Sequence, residues 1–192
     1  MNDDRLVVWG MAGSLRQNSV NKSLLRSAAS LAPYDVEVRI SELLPEVPLF
    51  NEDLVGAEPL AVHALRDEVA AADALLIATP EYNGGVPGVL KNALDWLSLP
   101  LGRSVLQGKP VAIMGASPGR LGTARSQLEL RTTFIYSHSL VVPGPEVLVG
   151  LASKQFDAEG RLTNPVATDL ICQLFDGLKR LARLNEAELV CP

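Results

Sequence analysis

Sulfur is scarce in this chain. Cys172 and Cys191 are its only cysteines, they stand far apart, and no Cys-x-x-Cys spacing occurs. A structural disulfide, an iron–sulfur cluster and a zinc site are therefore not expected. Positive charge is not concentrated either: the net charge is −5 and no block of Lys and Arg could follow a nucleic-acid backbone. No apolar run approaches the ~18 residues of a membrane span. The opening Met1-Asn2-Asp3-Asp4-Arg5 is acidic rather than basic-then-apolar, so it does not read as a secretory leader, and a cytoplasmic protein is expected. Two familiar nucleotide motifs are missing too. Lys22-Ser23 follows Asn21 rather than the glycine a P-loop needs, and Gly10-Met11-Ala12-Gly13 lacks the middle glycine of a dinucleotide fingerprint.

What is present is an alternation of periods. At 192 residues with 47% hydrophobic content, the chain suits one globular domain over 1–192, with 185–192 expected as a mobile tail carrying Cys191. Leu6 to Met11 reads as a buried strand. Leu24, Leu25, Ala28 and Leu31 make a helical stripe stopped by Pro33. Val36 to Ile40 alternates like an edge strand, and Leu43 to Leu54, with Pro45 and Pro48, reads as a long loop. After a second helix from Leu60 to Ala72, Ala74 to Thr79 is apolar on both faces, as a central strand must be. Val86 to Leu97 is a third helix, Val111 to Ala116 a buried strand, Thr123 to Phe134 a helix and Leu140 to Val142 a strand. A last helix opens at Asn164-Pro165 and takes Cys172 into its apolar stripe as a small core residue.

Five strands alternating with helices predict a three-layer α/β sandwich: a parallel sheet in the flavodoxin-like order 2-1-3-4-5, with helices on both faces. Ligands of such sheets sit at the carboxyl ends of the strands. Three unusual loops follow strands and would meet there, beginning near Gly13, Pro80 and Ser117.

The first, Gly13 to Asn21, runs from a strand into a helix. Such a turn leaves backbone N–H groups unpaired at the positive end of the helix, which favours a phosphate. Ser14, Ser19 and Asn21 add small hydrogen-bonding side chains. Ser19 alone would explain an ordinary capped turn. Arg16 argues for more, since a cap needs no cation, and its planar fork suits phosphate oxygens. The second loop, Pro80-Glu81-Tyr82-Asn83-Gly84-Gly85, is nearly uncharged and rich in residues that permit unusual backbone angles. Its backbone groups suit the edge of a flat heterocycle, with Tyr82 offering a ring. Ser117 and Gly119 of the third loop would close the other side. A phosphate at one loop and a polar-edged ring at two others describe a mononucleotide, and FMN fits better than AMP.

These residues resemble a known family. Gly13-Ser14-Leu15-Arg16 with Ser19 and Asn21, Pro80-Glu81-Tyr82-Asn83, and Pro87-Gly88-Val89-Leu90-Lys91-Asn92-Ala93-Leu94-Asp95-Trp96 are similar to the NADPH-dependent FMN reductases, in the branch of bacterial quinone and chromate reductases. The likeness runs from about Leu6 to Leu184 and includes Ser117-Pro118-Gly119-Arg120 and Pro145-Glu146-Val147. It implies that Ser14, Arg16, Ser19, Val20 and Asn21 hold the FMN phosphate. It further implies that Pro80, Glu81, Tyr82, Asn83 and Gly84 line the ribityl chain and ring, with Ser117 and Gly119 completing the pocket. Homodimers or homotetramers are implied as well. The chain departs from the pattern at Gly84-Gly85, where relatives carry a larger polar residue and a serine. It departs again at Leu128, where the chromate-reducing branch has a tyrosine.

The expected activity is a two-electron reductase. NAD(P)H would reduce bound FMN, and a quinone, free flavin or other oxidant such as chromate would reoxidise it. The cofactor carries the chemistry, so no catalytic side chain and no metal is expected. His63 and His138 read as surface residues, and Arg120 as a solvated loop arginine. A flavodoxin-type electron carrier and a flavin-free binding module are the competing expectations. The carrier would need aromatic rings on both flavin faces, and the loops supply only Tyr82.

Overall fold

In the computed structural model, which describes residues 5–189, five parallel strand pairings build one sheet. The strands are β1 (Leu6–Ala12), β2 (Val36–Ile40), β3 (Ala74–Ala78), β4 (Pro110–Ala116), β5 (Leu140–Val141) and β6 (Val147–Val149). The spatial order is β2-β1-β3-β4-β5, as the hydrophobic patterning predicts. One difference concerns the outer strand. Two short strands share its place: β5 pairs with Pro110 and Val111, and β6 pairs with Met114 to Ala116. Pro143 and Pro145 fall between them, and neither has an N–H to offer a ladder.

Every residue of β3 and β4 is buried, because helices cover both faces. Side chains alternate between two cores. Val8, Ala74, Leu76, Ala112 and Met114 face α1 (Val20–Leu31) and α5 (Pro165–Leu189). Trp9, Met11, Leu75, Ile77, Val111 and Ile113 face α2 (Leu60–Ala70), α3 (Gly88–Leu97) and α4 (Ala124–Tyr136). Each fully buried Val, Leu, Ile or Met side chain here contributes about 1.5–3 kcal/mol of transfer free energy.

The helices start and stop where the sequence signals say. Ser19 caps α1, its Oγ accepting from Asn21 N at 3.2 Å, and Asn164 caps α5 by accepting from Ala167 N at 3.0 Å. Helix α5 runs to Leu189, past position 185 where the sequence suggested a tail, and Cys191 lies outside the described residues. Cys172 is only partly buried rather than a core residue. The 43–54 segment is a loop with two short 3₁₀ turns. It is strapped to α3: Asn92 Nδ2 and Trp96 Nε1 each donate to Pro48 O at 2.9 Å, Asn92 Oδ1 accepts from Phe50 N at 2.7 Å, and the Phe50 ring meets Trp96 edge-on at 4.9 Å.

One buried brace joins α1 to the end of β4. The Asn21 amide accepts from Ala116 N at 2.8 Å and donates to Ala116 O at 2.9 Å, with Asn21 only 1% exposed. Asn21→Leu would orphan both main-chain groups at about 1–3 kcal/mol each, so we expect the melting midpoint to fall by about 4 °C or more. An unchanged midpoint in differential scanning calorimetry would contradict this role.

A second tie lies under α2. Arg66 reaches Glu58 Oε1 at 2.8 Å and Trp96 O at 3.1 Å, and the Glu58 side chain keeps only 9% of its exposure. The Arg66 hydrogen bond, helped by nearby backbone N–H groups, lowers the Glu58 pKa to about 2. A carboxyl whose pKa is depressed by folding stabilises the fold when ionised. Its contribution is complete above the ordinary carboxylate value of about 4.3 and fades as pH falls towards 2. Urea titrations across this range should show wild type losing stability more steeply than Glu58→Gln. Parallel slopes would refute the assignment.

Candidate active site

The carboxyl ends of three neighbouring strands coincide. Ala12 pairs with Ala78, and Ala78 with Met114, so the loops at 13–19, 79–87 and 117–123 leave the sheet side by side. Backbone bonds continue the register beyond the strands: Gly13 N donates to Ala78 O and Thr79 N to Met114 O, both at 2.9 Å. A Cβ on Gly115 would collide with Thr123 Oγ1 and the Thr79 carbonyl, so only glycine lets these segments approach.

The first loop is open and electropositive. Leu15, Arg16, Gln17 and Asn18 are exposed, and the backbone N–H groups of Gln17, Asn18, Ser19 and Val20 donate to no other described residue. The first turn of α1 holds no acid, so the partial positive charge of the helix start is uncompensated. The Arg16 guanidinium forms no ion pair among the described residues. Ser14 is 2% exposed; its Oγ accepts from Arg16 N at 3.3 Å and lies 3.3 Å from the Tyr82 hydroxyl. Asn21 differs from the sequence expectation. Both ends of its amide serve Ala116 and its N–H serves Ser19, so its side chain braces the start of α1 against β4.

In the second loop, Tyr82 and Gly85 exchange backbone bonds at 3.2 and 3.1 Å around Asn83 (φ 53°) and Gly84 (φ 78°). Two central residues with positive φ make this a primed turn, which explains Asn-Gly at these positions. Tyr82 is 46% exposed, and Asn83 and Gly84 are also exposed. Pro80 is buried, its carbonyl accepting from Thr79 Oγ1 at 2.8 Å. The Glu81 side chain points to α4 rather than into the turn. Its Oε2 accepts from Arg125 N at 2.9 Å and Ser126 N at 3.4 Å, and its Oε1 lies 3.5 Å from the Arg125 guanidinium. Thr123, at the N-cap of α4, makes no side-chain cap bond, so Glu81 caps that helix from another segment.

In the third loop the Ser117 hydroxyl donates to Gly122 O at 2.6 Å, which leaves its oxygen free to accept. Its backbone is fixed by Val149 O and Ala152 N, and the Gly119 carbonyl accepts from Leu151 N. Gly119 and Arg120 are exposed. His63 and His138 are exposed and stand outside the three loops.

Sequence reasoning overlooked the residues that support these loops: Thr79 and Ser126, whose hydroxyls meet at 2.9 Å, and Glu129, whose carboxylate accepts from Val86 N at 2.8 Å. The partners are more than forty positions apart, and nothing local in the sequence announces them. A cavity of about 650 Å³ lies elsewhere, between α3 and α4, lined by Leu94, Leu101, Leu106 and Tyr136 and reaching Glu129. It does not include the loop that leads into α1, where an exposed guanidinium lies beside a helix start.

The donor set fits FMN. Among the described residues the N–H groups of Gln17 to Val20 and the Arg16 guanidinium have no partner, which suits a phosphate. The exposed turn at 82–85 and the accepting Ser117 oxygen lie beside them at the neighbouring strand ends.

Residues 6–154 match the family described as NADPH-dependent FMN reductase. The chain is 44% identical over 184 residues to an NAD(P)H-dependent FMN reductase of Pseudomonas aeruginosa, covering 95% of this chain and 98% of that relative. It is 38% identical over 158 residues to a quinone reductase of Escherichia coli, covering 81% and 84% of the two chains. Among solved structures, FerB of Paracoccus denitrificans, a flavoenzyme NAD(P)H:(acceptor) oxidoreductase, superposes with a TM-score of 0.84 at 30% identity, over 94% of this chain and 98% of FerB. The matched family, the sheet order and the loop chemistry agree: the chain belongs to the NADPH-dependent FMN reductase family.

Proposed function

We propose that this chain is an FMN-dependent NAD(P)H oxidoreductase whose acceptors are quinones, with free flavins and oxidants such as chromate as further acceptors. The observation that carries this reading is the uncompensated start of α1, with Arg16 and the unpaired N–H groups of Gln17 to Val20 beside the primed turn at Tyr82 to Gly85. When bound, FMN supplies the redox chemistry, accepting hydride from NAD(P)H and passing two electrons to the acceptor.

The residues of the chain bind and orient. Arg16 and the N–H groups of Gln17, Asn18, Ser19 and Val20 hold the phosphate, and Ser14 fixes the turn through Arg16 N and Tyr82. The backbone of Pro80, Glu81, Tyr82, Asn83 and Gly84 would line the ribityl chain and ring, with Ser117 as an acceptor and Gly119 as a donor. Tyr82 is the only aromatic residue of the three loops. One flavin face is therefore left to the nicotinamide and then to the acceptor, which favours a reductase over a carrier with an aromatic sandwich. Among the described residues, no helix is long and apolar enough to cross a membrane. We place the protein in the cytoplasm, where reduced nicotinamide is supplied. We also read it as a homo-oligomer, because Leu128, Ile135 and Tyr136 leave an apolar strip exposed on α4.

FMN-loaded protein should oxidise NADPH in proportion to added benzoquinone; no NADPH oxidation would overturn the reading. Arg16→Ala should weaken FMN binding roughly ten- to a hundredfold, the equivalent of about 1.5–3 kcal/mol for a charge-assisted contact. Fluorescence titration measures this, and an unchanged affinity rejects the role. His63→Ala, which removes an exposed side chain outside the loops, should leave turnover intact.

A further inference from the structure

The second loop and α4 are in contact at its two glycines. Arg125 and Glu129 stand one helical turn apart on α4. A Cβ on Gly84 would lie 3.6 Å from Arg125 Cδ, and a Cβ on Gly85 would lie 2.8 Å from Glu129 Oε2. That same oxygen accepts from Val86 N at 2.8 Å. The Glu129 carboxylate thus occupies the space that a side chain at 85 would need, and it uses that space to hold the residue that follows the turn. Among the described residues, Glu129 makes no ion pair, and its recorded side-chain partner is this one amide.

From this geometry we propose that Glu129 is a positioning residue for the flavin-binding turn, and that Gly85 is small in order to admit its carboxylate. This role rests on the FMN reading above and deepens it. Three ties hold the 79–87 segment to α4, the first of them the meeting of the Thr79 and Ser126 hydroxyls. Glu81 fastens its start to the first turn of the helix, and Glu129 fastens its end one turn later. The far side of the turn reaches Ser14 through the Tyr82 hydroxyl. With the Val86 anchor removed, the 82–85 turn loses its tie to α4 on the side that leads into α3. Its backbone donors then sample positions away from the ring edge, and part of the FMN affinity goes to reordering them. A side chain at 85 would displace the flexible end of Glu129 rather than clash with main chain, so it should mimic loss of the carboxylate.

The test uses the full chain and two readouts. The first is amide hydrogen exchange at Val86 in FMN-free protein, followed by NMR; the second is FMN affinity by fluorescence titration. Glu129→Ala should speed Val86 exchange at least about tenfold, since an amide held by an acceptor exchanges only through local opening and a freed one does not need it. It should also weaken FMN binding several-fold, with the urea midpoint close to wild type because the side chain is exposed. Glu129→Gln, which keeps an acceptor oxygen, should restore most of both. Gly85→Ala should reproduce the effects of Glu129→Ala, and the double variant should be no worse than either single one. Unchanged Val86 exchange in Glu129→Ala, or faster exchange with wild-type FMN affinity, would overturn the positioning role. Wild-type protein that binds no FMN would instead overturn the functional reading, while the Val86 exchange rates would still report whether the clamp exists.

Discussion

The molecule is arranged around a helix start whose backbone donors find no partner among the described residues. Helix α1 begins directly beyond the carboxyl end of β1, with no acid in its first turn and exposed residues leading into it. Such a site is costly to leave unsolvated and favourable to fill with an anion. The fold keeps it in place by burying what lies behind it. Asn21 is locked to Ala116 of β4, Gly13 donates across to Ala78, and Leu90 of α3 packs against Gly13 so closely that a Cβ there would come within 2.8 Å of it. The helix start is therefore fixed in its frame, while Leu15 to Asn18 leading into it are exposed.

Helix α4 gives the same support to the opposite side of the site. Thr79, Thr123, Ser126 and Gln127 are fully buried beneath its first turns. The Thr79 and Ser126 hydroxyls meet, and Gln127 donates to Thr123 Oγ1 and Val147 O. These paired groups favour a single arrangement, because a shift would strand their donors in low dielectric, although Gln127 Oε1 is itself buried without a partner among the described residues. Gly115 belongs to this arrangement, since the missing Cβ makes room for Thr123. Glu81 and Glu129 extend it to the surface, each placing a carboxylate on backbone N–H groups where a loop must hold still.

Much of this was legible in the residues, and the parts that were not share a cause. Strands such as Ala74 to Ala78 declare themselves because both faces are apolar. Helix α1 declares itself by a capping serine, an apolar stripe and a terminating proline. The helix start with Arg16 beside it is readable because Arg16, Ser14 and Ser19 are neighbours in sequence. Asn21 was misjudged in detail, since the partner that occupies its amide is 95 positions away. Glu81 read as a flavin-loop residue, and only the placement of Arg125 and Ser126 reveals it as the cap of α4. The divided outer strand was hidden because Val147 to Val149 is only three residues long. Cys172 lies on an apolar stripe by spacing, but helix rotation leaves it partly exposed. Local pattern fixes elements, whereas the side chains that bridge elements are chosen by the fold.

A crystal structure of the protein with FMN bound would decide most sharply whether the start of α1 works as described. The phosphate is expected on the N–H groups of Gln17 to Val20 with the Arg16 guanidinium against it, and the ring beside the turn at Tyr82 to Gly85. FMN bound elsewhere, or a phosphate that leaves those N–H groups uncontacted, would contradict it.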